Sequence, residues 1–339
     1  MYMAIGLLFI IAFGSCYFLM PLFEKLAKHK NLVTNPAPQK IDSRSMPYLG
    51  GIAMFSVFLI LGCGFYRFSG FSLNLFKFYM FMFSAGIIVL FGFFDDIREM
   101  NPWEKLIGQF LGTLILVGFV ARTEIIYLSP LLNIILSFFW IILLVNAFNL
   151  LDILDGLAGS VSLITTFVFF VFSVLTNNHF VLLVSTIQCA VLIAFLKYNL
   201  PPARIFMGDA GSQFLGFSQA VMAISLSFAH TGSEIGLVIP IIILALPLFD
   251  MLFVIFVRLR QGKSIFLKSN DHFVFRLLKI NISKQSILRI MIILSIVTNC
   301  CALLIYLVSN TMGLFVFLLV ISGMCLVGIK LSRLEISDE

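Results

Sequence analysis

The residues most able to do chemistry are five aspartates that abut apolar runs: Asp95, Asp96, Asp152, Asp155 and Asp209. The chain has only 16 acidic residues, so their placement is informative. Asp95 and Asp96 end the apolar run of FGFFDDIREM. Adjacent carboxylates repel unless a cation or a shared proton compensates. In NAFNLLDILDGLAG, every third position from Asn146 through Asn149 and Asp152 to Asp155 is polar. On a helix that spacing predicts one polar stripe, whose amide and carboxylate oxygens suit a hard cation such as Mg²⁺. The plainer alternative is a helix end, marked by Asp155 before Gly156. In PPARIFMGDAGSQFLG, Asp209 follows a proline break and precedes a new apolar run. It is an expected helix N-cap, a metal ligand, or both.

Cations accompany the acids. Beyond Asp250 come Arg258, Arg260, Lys263, Lys268, His272, Arg276 and Lys279. Such residues beside a carboxylate-lined metal site suit a polyanionic ligand such as a diphosphate. Ordinary anchoring of cytoplasmic loops explains them equally. The segment from Pro36 to Gly51, with Lys40, Asp42 and Arg44, is a Pro/Gly-rich loop able to hold phosphate. Taken together, acids, amides and cations point to Mg²⁺-assisted phosphoryl transfer. One substrate would arrive from the cytosol and the other from the membrane.

The elements that position these residues must lie in lipid. Of the 339 residues, 61% are hydrophobic and 11% charged, with a mean hydropathy of +1.10. A soluble domain is nearer 25% charged. The expected fold is all-α and polytopic, a single integral membrane domain over residues 1–334 with a short tail at 335–339. About ten to eleven spans are expected at roughly 20 apolar residues each. They fall at 3–23, 50–66, 77–94, 105–121, 131–148, 157–176, 179–196, 211–229, 235–257, 286–308 and 311–330.

Nineteen of the 22 Lys and Arg residues then fall on one side, against Arg67, Lys77 and Arg122 on the other. The positive-inside rule puts the first set in the cytoplasm, with the N-terminus outside and the C-terminus inside. This asymmetry, and not nucleic-acid binding, accounts for the net charge of +6. All six cysteines sit in apolar runs without metal-ligand spacing and read as small buried hydrophobes.

With these motifs in place, the chain resembles the polyprenyl-phosphate N-acetylhexosamine-1-phosphate transferases, from Leu32 to about Arg276. The family's acidic pair matches Asp95–Asp96, and its downstream Lys and Gln match Lys105 and Gln109. NxxNxxDGxDG matches Asn146, Asn149, Asp152, Asp155 and Gly156; FxGDxGS matches Phe206, Gly208, Asp209, Gly211 and Ser212. The resemblance implies transfer of a sugar 1-phosphate from a UDP-N-acetylhexosamine to undecaprenyl phosphate, releasing UMP. It would occur at the cytoplasmic face of the bacterial inner membrane, and a homodimer is compatible with it.

The resemblance implies Asp209 and Asn149 as ligands of Mg²⁺, with Mn²⁺ as a substitute. It implies Phe206 stacking on uracil and Asp155 reading the base edge. Lys40, Lys105, Asp152, Arg258 and His272 would hold the donor. Asp95, with Asp96, would serve catalysis, Asp95 by deprotonating the lipid phosphate or through a covalent aspartyl intermediate.

The chain departs from the family at Thr34, Gln39 and Asp42, where Asp, Arg and His are usual, and at Ile153, where the motif has Gly. In place of HxHH it has His272, Val274 and Phe275. The histidine loss argues against the branch that uses UDP-MurNAc-pentapeptide. It favours UDP-GlcNAc or a modified UDP-N-acetylhexosamine and a product that starts O-antigen, teichoic acid or a similar surface glycan. A transporter of an anionic solute would also use intramembrane acids, but near the bilayer midplane and on inverted repeats. A scaffold descended from the enzyme would have lost Asp95, Asp96, Asn149 and Asp209.

Overall fold

The structure, a computed structural model, describes residues 2–34, 45–68, 74–226, 228, 234–264 and 272–333. Lys40, with Gln39, Asp42 and Arg44, lies outside the described residues, as do Lys268 and the tail 335–339. The described residues are helical with no strand, apart from one isolated bridge between Val33 and Pro47. Two compact units make up the chain, Met1–Leu226 and Ser227–Glu339.

The first unit contains α1 (Tyr2–His29), α2 (Gly50–Phe68), α3 (Leu75–Ile97), α4 (Pro102–Phe119), α5 (Pro130–Leu151), α6 (Leu157–Leu175), α7 (His179–Asn199) and α8 (Gly208–Ser225). The second contains a 3₁₀ turn (Glu234–Val238), α9 (Ile239–Ile243), α10 (Ala245–Arg260), α11 (Phe273–Lys279), α12 (Lys284–Leu307) and α13 (Asn310–Ser332). Among the described residues each expected span overlaps a helix, the one over 235–257 with a break at Leu244. Seven helices among the described residues are long and apolar enough to cross a membrane, or eight if α9 and α10 count with their turn as one bent span. α4 and α8 are not among the seven, because both carry the polar groups of the site.

α8 is the hub of the first unit. It is buried without interruption from Ala210 to Ala223 and packs on α2, α3, α5, α6 and α7. Protein rather than lipid surrounds it, which is why Gln213, Ser218 and Gln219 are tolerated along its length. Lipid gives no hydrophobic drive between helices, so close packing must hold them. Phe214 of α8 meets Phe58 and Phe55 of α2 edge-on at 5.0 and 5.2 Å, and Phe217 stacks on Phe81 of α3 at 6.1 Å. Such pairs contribute about 0.5–1.5 kcal/mol each beyond the area they bury. At Gly51 the two backbones nearly touch: a Cβ there would lie 2.3 Å from Gly211.

In the second unit, the continuous span expected over 235–257 is instead broken by 72° at Leu244. The cause is local. Pro247 has no N–H to offer the carbonyl of Ile243. That carbonyl accepts from Asn299 Nδ2 of α12 instead, at 3.2 Å. A polar side chain from a neighbouring helix thus satisfies the group the break exposes. Within this unit Asp250 is fully buried. Its carboxylate accepts from Phe273 N at 3.1 Å and holds His272 Nδ1 at 3.2 Å.

Candidate active site

The acids gather at helix termini in the first unit. Asp95 and Asp96 sit in the last turn of α3, where the helix dipole disfavours negative charge. They persist because both have partners. Asp96 turns to the start of α8: Oδ1 accepts from Asp209 N at 2.8 Å and Oδ2 from Ala210 N at 3.2 Å. It caps α8 from another helix. The expectation that Asp209 is itself the N-cap is corrected, since Asp209 lies inside the first turn and Met207 precedes the helix. Gly208 is required there. Its φ is +70°, and a Cβ would lie 2.5 Å from Asp96 Oδ2.

Asp95 Oδ1 accepts from Met100 N at 2.8 Å, which folds the α3–α4 turn back on the carboxylate. Its Oδ2 pairs with Lys105 Nζ. Lys105 rises from the first turn of α4, which Pro102 opens and Glu104 caps by accepting from Asn101 N at 3.1 Å. The same Nζ lies 2.6 Å from Asp209 Oδ2. One ammonium thus bridges carboxylates from two helices. The site is recessed but open, the Asp95, Lys105 and Asp209 side chains being 10%, 20% and 33% exposed.

Asn149 joins from α5, donating Nδ2 to Ser212 Oγ at 3.0 Å. This leaves its carbonyl oxygen as a donor for a cation. The polar stripe expected through Asp155 does not run down one helix. α5 ends at Leu151 and Asp152 is its C-cap. Burial, then the negative charges of Asp209 and Asp155, push the Asp152 carboxyl up to about 7. Asp155 lies in the turn before α6 and accepts from Ala203 N at 3.1 Å. It therefore ties that turn to the 200–207 loop.

Phe206 belongs to the same loop and packs with Tyr48, Leu49 and Ala27. The loop is fastened by Phe206 N to Pro47 O at 2.7 Å and by Gly50 N to Phe206 O at 3.0 Å. Gln109 is buried one turn beyond Lys105 on α4. It binds Asn146 on α5 and Gln213 on α8, with contacts of 2.8 to 3.4 Å.

The structure thus brings Asp95, Asp96, Lys105, Asn149, Asp152 and Asp209 together, with Asp155 and Phe206 on the adjoining loop. Arg258 and His272 belong to the second unit: Arg258 is buried in the last turn of α10, and His272 is held by Asp250. Sequence reasoning missed Asn199. It accepts from Gly156 N at 3.0 Å and donates to Ile205 O at 2.9 Å, joining two site loops. An Asn closing an apolar run was the only available signal.

Among the described residues, no three His, Cys, Asp or Glu side chains close around a metal position. The expected donors are the Asp209 carboxylate and the Asn149 amide oxygen, with the Asp95 carboxylate on the far side of Lys105. Hard oxygen donors with more negative than positive charge fit a divalent cation such as Mg²⁺.

Residues 78–227 match the family described as glycosyl transferase family 4. Relatives include the "Probable undecaprenyl-phosphate N-acetylglucosaminyl 1-phosphate transferase" of Bacillus subtilis (strain 168), 27% identical over 92% of this chain and 88% of that one. The "Decaprenyl-phosphate N-acetylglucosaminephosphotransferase" of Mycobacterium leprae (strain TN) is 29% identical over 80% of this chain and 76% of its own. The "Phospho-N-acetylmuramoyl-pentapeptide-transferase" of Lacticaseibacillus paracasei is 27% identical over 78% and 88%. The matched family segment spans α3 to α8, the helices that carry the acids, the bridging lysine and the amide. The comparisons support a likeness to the polyprenyl-phosphate N-acetylhexosamine-1-phosphate transferases, carried by the helices that hold the site.

Proposed function

We propose that this protein transfers N-acetylhexosamine-1-phosphate from a UDP-sugar to undecaprenyl phosphate, releasing UMP. The observation that carries this reading is the single ammonium of Lys105 held between Asp95 and Asp209, with Asn149 and Asp152 beside them. In the reaction a phosphate oxygen of the lipid attacks the β-phosphorus of the donor. The bond from that phosphorus to the bridging oxygen breaks, and UMP leaves with the electron pair. Asp209 and Asn149 would hold Mg²⁺, which supplies charge neutralisation of the diphosphate when bound. Asp95 would take a proton from the lipid phosphate, and Lys105 would orient the donor. Phe206 and Asp155 would receive the uracil.

We assign the site to the cytoplasmic face of the bacterial inner membrane, where the Lys and Arg excess falls. UDP-GlcNAc or a modified UDP-N-acetylhexosamine is the favoured donor, and a surface glycan the favoured product. Supporting this is the α11 region, where Val274 fills the core in place of an imidazole. His272 alone stands for the usual cluster.

The test is UMP release by the purified protein with undecaprenyl phosphate, Mg²⁺ and, in turn, UDP-GlcNAc, UDP-GalNAc and UDP-MurNAc-pentapeptide. Lipid-dependent release with one of the first two, abolished by EDTA and by Asp95→Asn or Asp209→Asn, is expected. Release only with the pentapeptide donor would overturn the assignment of the sugar. No release with any donor from folded protein would overturn the activity.

A further inference from the structure

Lys105 holds the place a metal would need. Its Nζ contacts Asp95 Oδ2 and lies 2.6 Å from Asp209 Oδ2, so it stands between the two carboxylates. A divalent ion held by Asp209 and Asn149 would share the Asp209 carboxylate with that ammonium, and two cations repel. The acids also outnumber the lysine: Asp95 and Asp209 face one ammonium, and the end of α3 adds its own partial negative charge. The position is therefore short of positive charge even with Lys105 in it. A lysine is suited to leave. Its charge rides on a flexible four-carbon stem with no fixed geometry, and this side chain is part-exposed.

We propose that Lys105 is an exchangeable cation: it occupies the carboxylate pair in the ligand-free protein, is displaced when a divalent ion binds, and is thereby released to the donor's diphosphate. The proposal rests on the metal reading given under Proposed function. It adds an order, with the ion binding before Lys105 can reach a phosphate, and it gives the lysine two positions.

Mn²⁺ binding to the full-length protein, followed by electron paramagnetic resonance without any nucleotide, tests both levels. Wild type is expected to bind one ion that Asp209→Asn loses, and Lys105→Gln to bind it about tenfold more tightly, the order expected when one competing charge leaves a partly screened site. A second measurement uses wild type alone, in case Lys105→Gln folds poorly. Acetylation of Lys105 by an N-hydroxysuccinimide ester, read by mass spectrometry, is expected to accelerate several-fold with Mn²⁺, and not in Asp209→Asn. Equal or weaker Mn²⁺ binding by folded Lys105→Gln, or an acetylation rate indifferent to Mn²⁺ in a wild type that binds it, would overturn the exchange and leave the metal reading standing. Failure of wild type to bind Mn²⁺, or binding unchanged in Asp209→Asn, would overturn both.

Discussion

At the scale of single residues, the two neighbouring aspartates have different work. Asp95 faces Lys105, whereas both oxygens of Asp96 serve the backbone at the start of α8. Asp96 is therefore a positioning residue for Asp209. Asp96→Asn keeps the shape but turns an NH₂ toward one of those N–H groups. It is expected to cost about 1–3 kcal/mol, lowering Tm and kcat together. Lost activity at an unchanged Tm would instead put Asp96 in the chemistry. Asp152 gives a pH signature. Its folded pKa, about 7, lies above the ordinary value of 3.8. Between those values the unfolded chain ionises while the folded one keeps its proton, so stability falls as pH rises through this window. Asp152→Asn removes that dependence. The Tm of the variant relative to wild type should therefore grow from pH 5 to pH 8, by differential scanning fluorimetry without divalent ions. A constant difference would contradict the placement of the charge.

At the scale of elements, the site is built from helix ends: the C-termini of α3 and α5 bring acids to the N-termini of α4 and α8. On α3 each carboxylate is answered by a cation or by N–H groups from an N-terminus, which is why α3 and α8 must touch. The second unit shows the same logic at the α9–α10 break, where Asn299 serves the carbonyl of Ile243. Asn299→Leu would leave that carbonyl without its side-chain donor. The expected loss is about 1–3 kcal/mol, measured as a fall in Tm. Pairing Asn299→Leu with Pro247→Ala should recover part of it, because the restored N–H can serve the carbonyl. No recovery would mean that Pro247 does not cause the break.

At the scale of the molecule, seven helices among the described residues have the length and apolarity to cross a membrane by themselves, while α8 is shielded by its neighbours. The charge asymmetry makes a directional prediction. A reporter fused after Glu339 should be active only if it folds in the cytoplasm, and one fused before Met1 should be active only outside. A C-terminal fusion active outside would reverse the orientation and move the acids to the opposite face.

The membrane class and the places of most helices are legible in the sequence. Apolar run length is a local property, and carboxylates at the ends of such runs are conspicuous because lipid penalises them. How those residues pair is visible only in the folded chain. No spacing along the chain shows that Asp96 caps α8 from α3, that Lys105 bridges Asp95 and Asp209, or that Gln109 faces Gln213 across 104 positions. The polar stripe of Asn146, Asn149, Asp152 and Asp155 is legible as composition, with one helix and a helix end both open; the end falls at Asp152, where the backbone leaves the helix at φ −81°, ψ 53°. The span at 235–257 was misread as continuous: hydropathy counts side chains, while the bend at Leu244 comes from a missing N–H and a partner about fifty residues away.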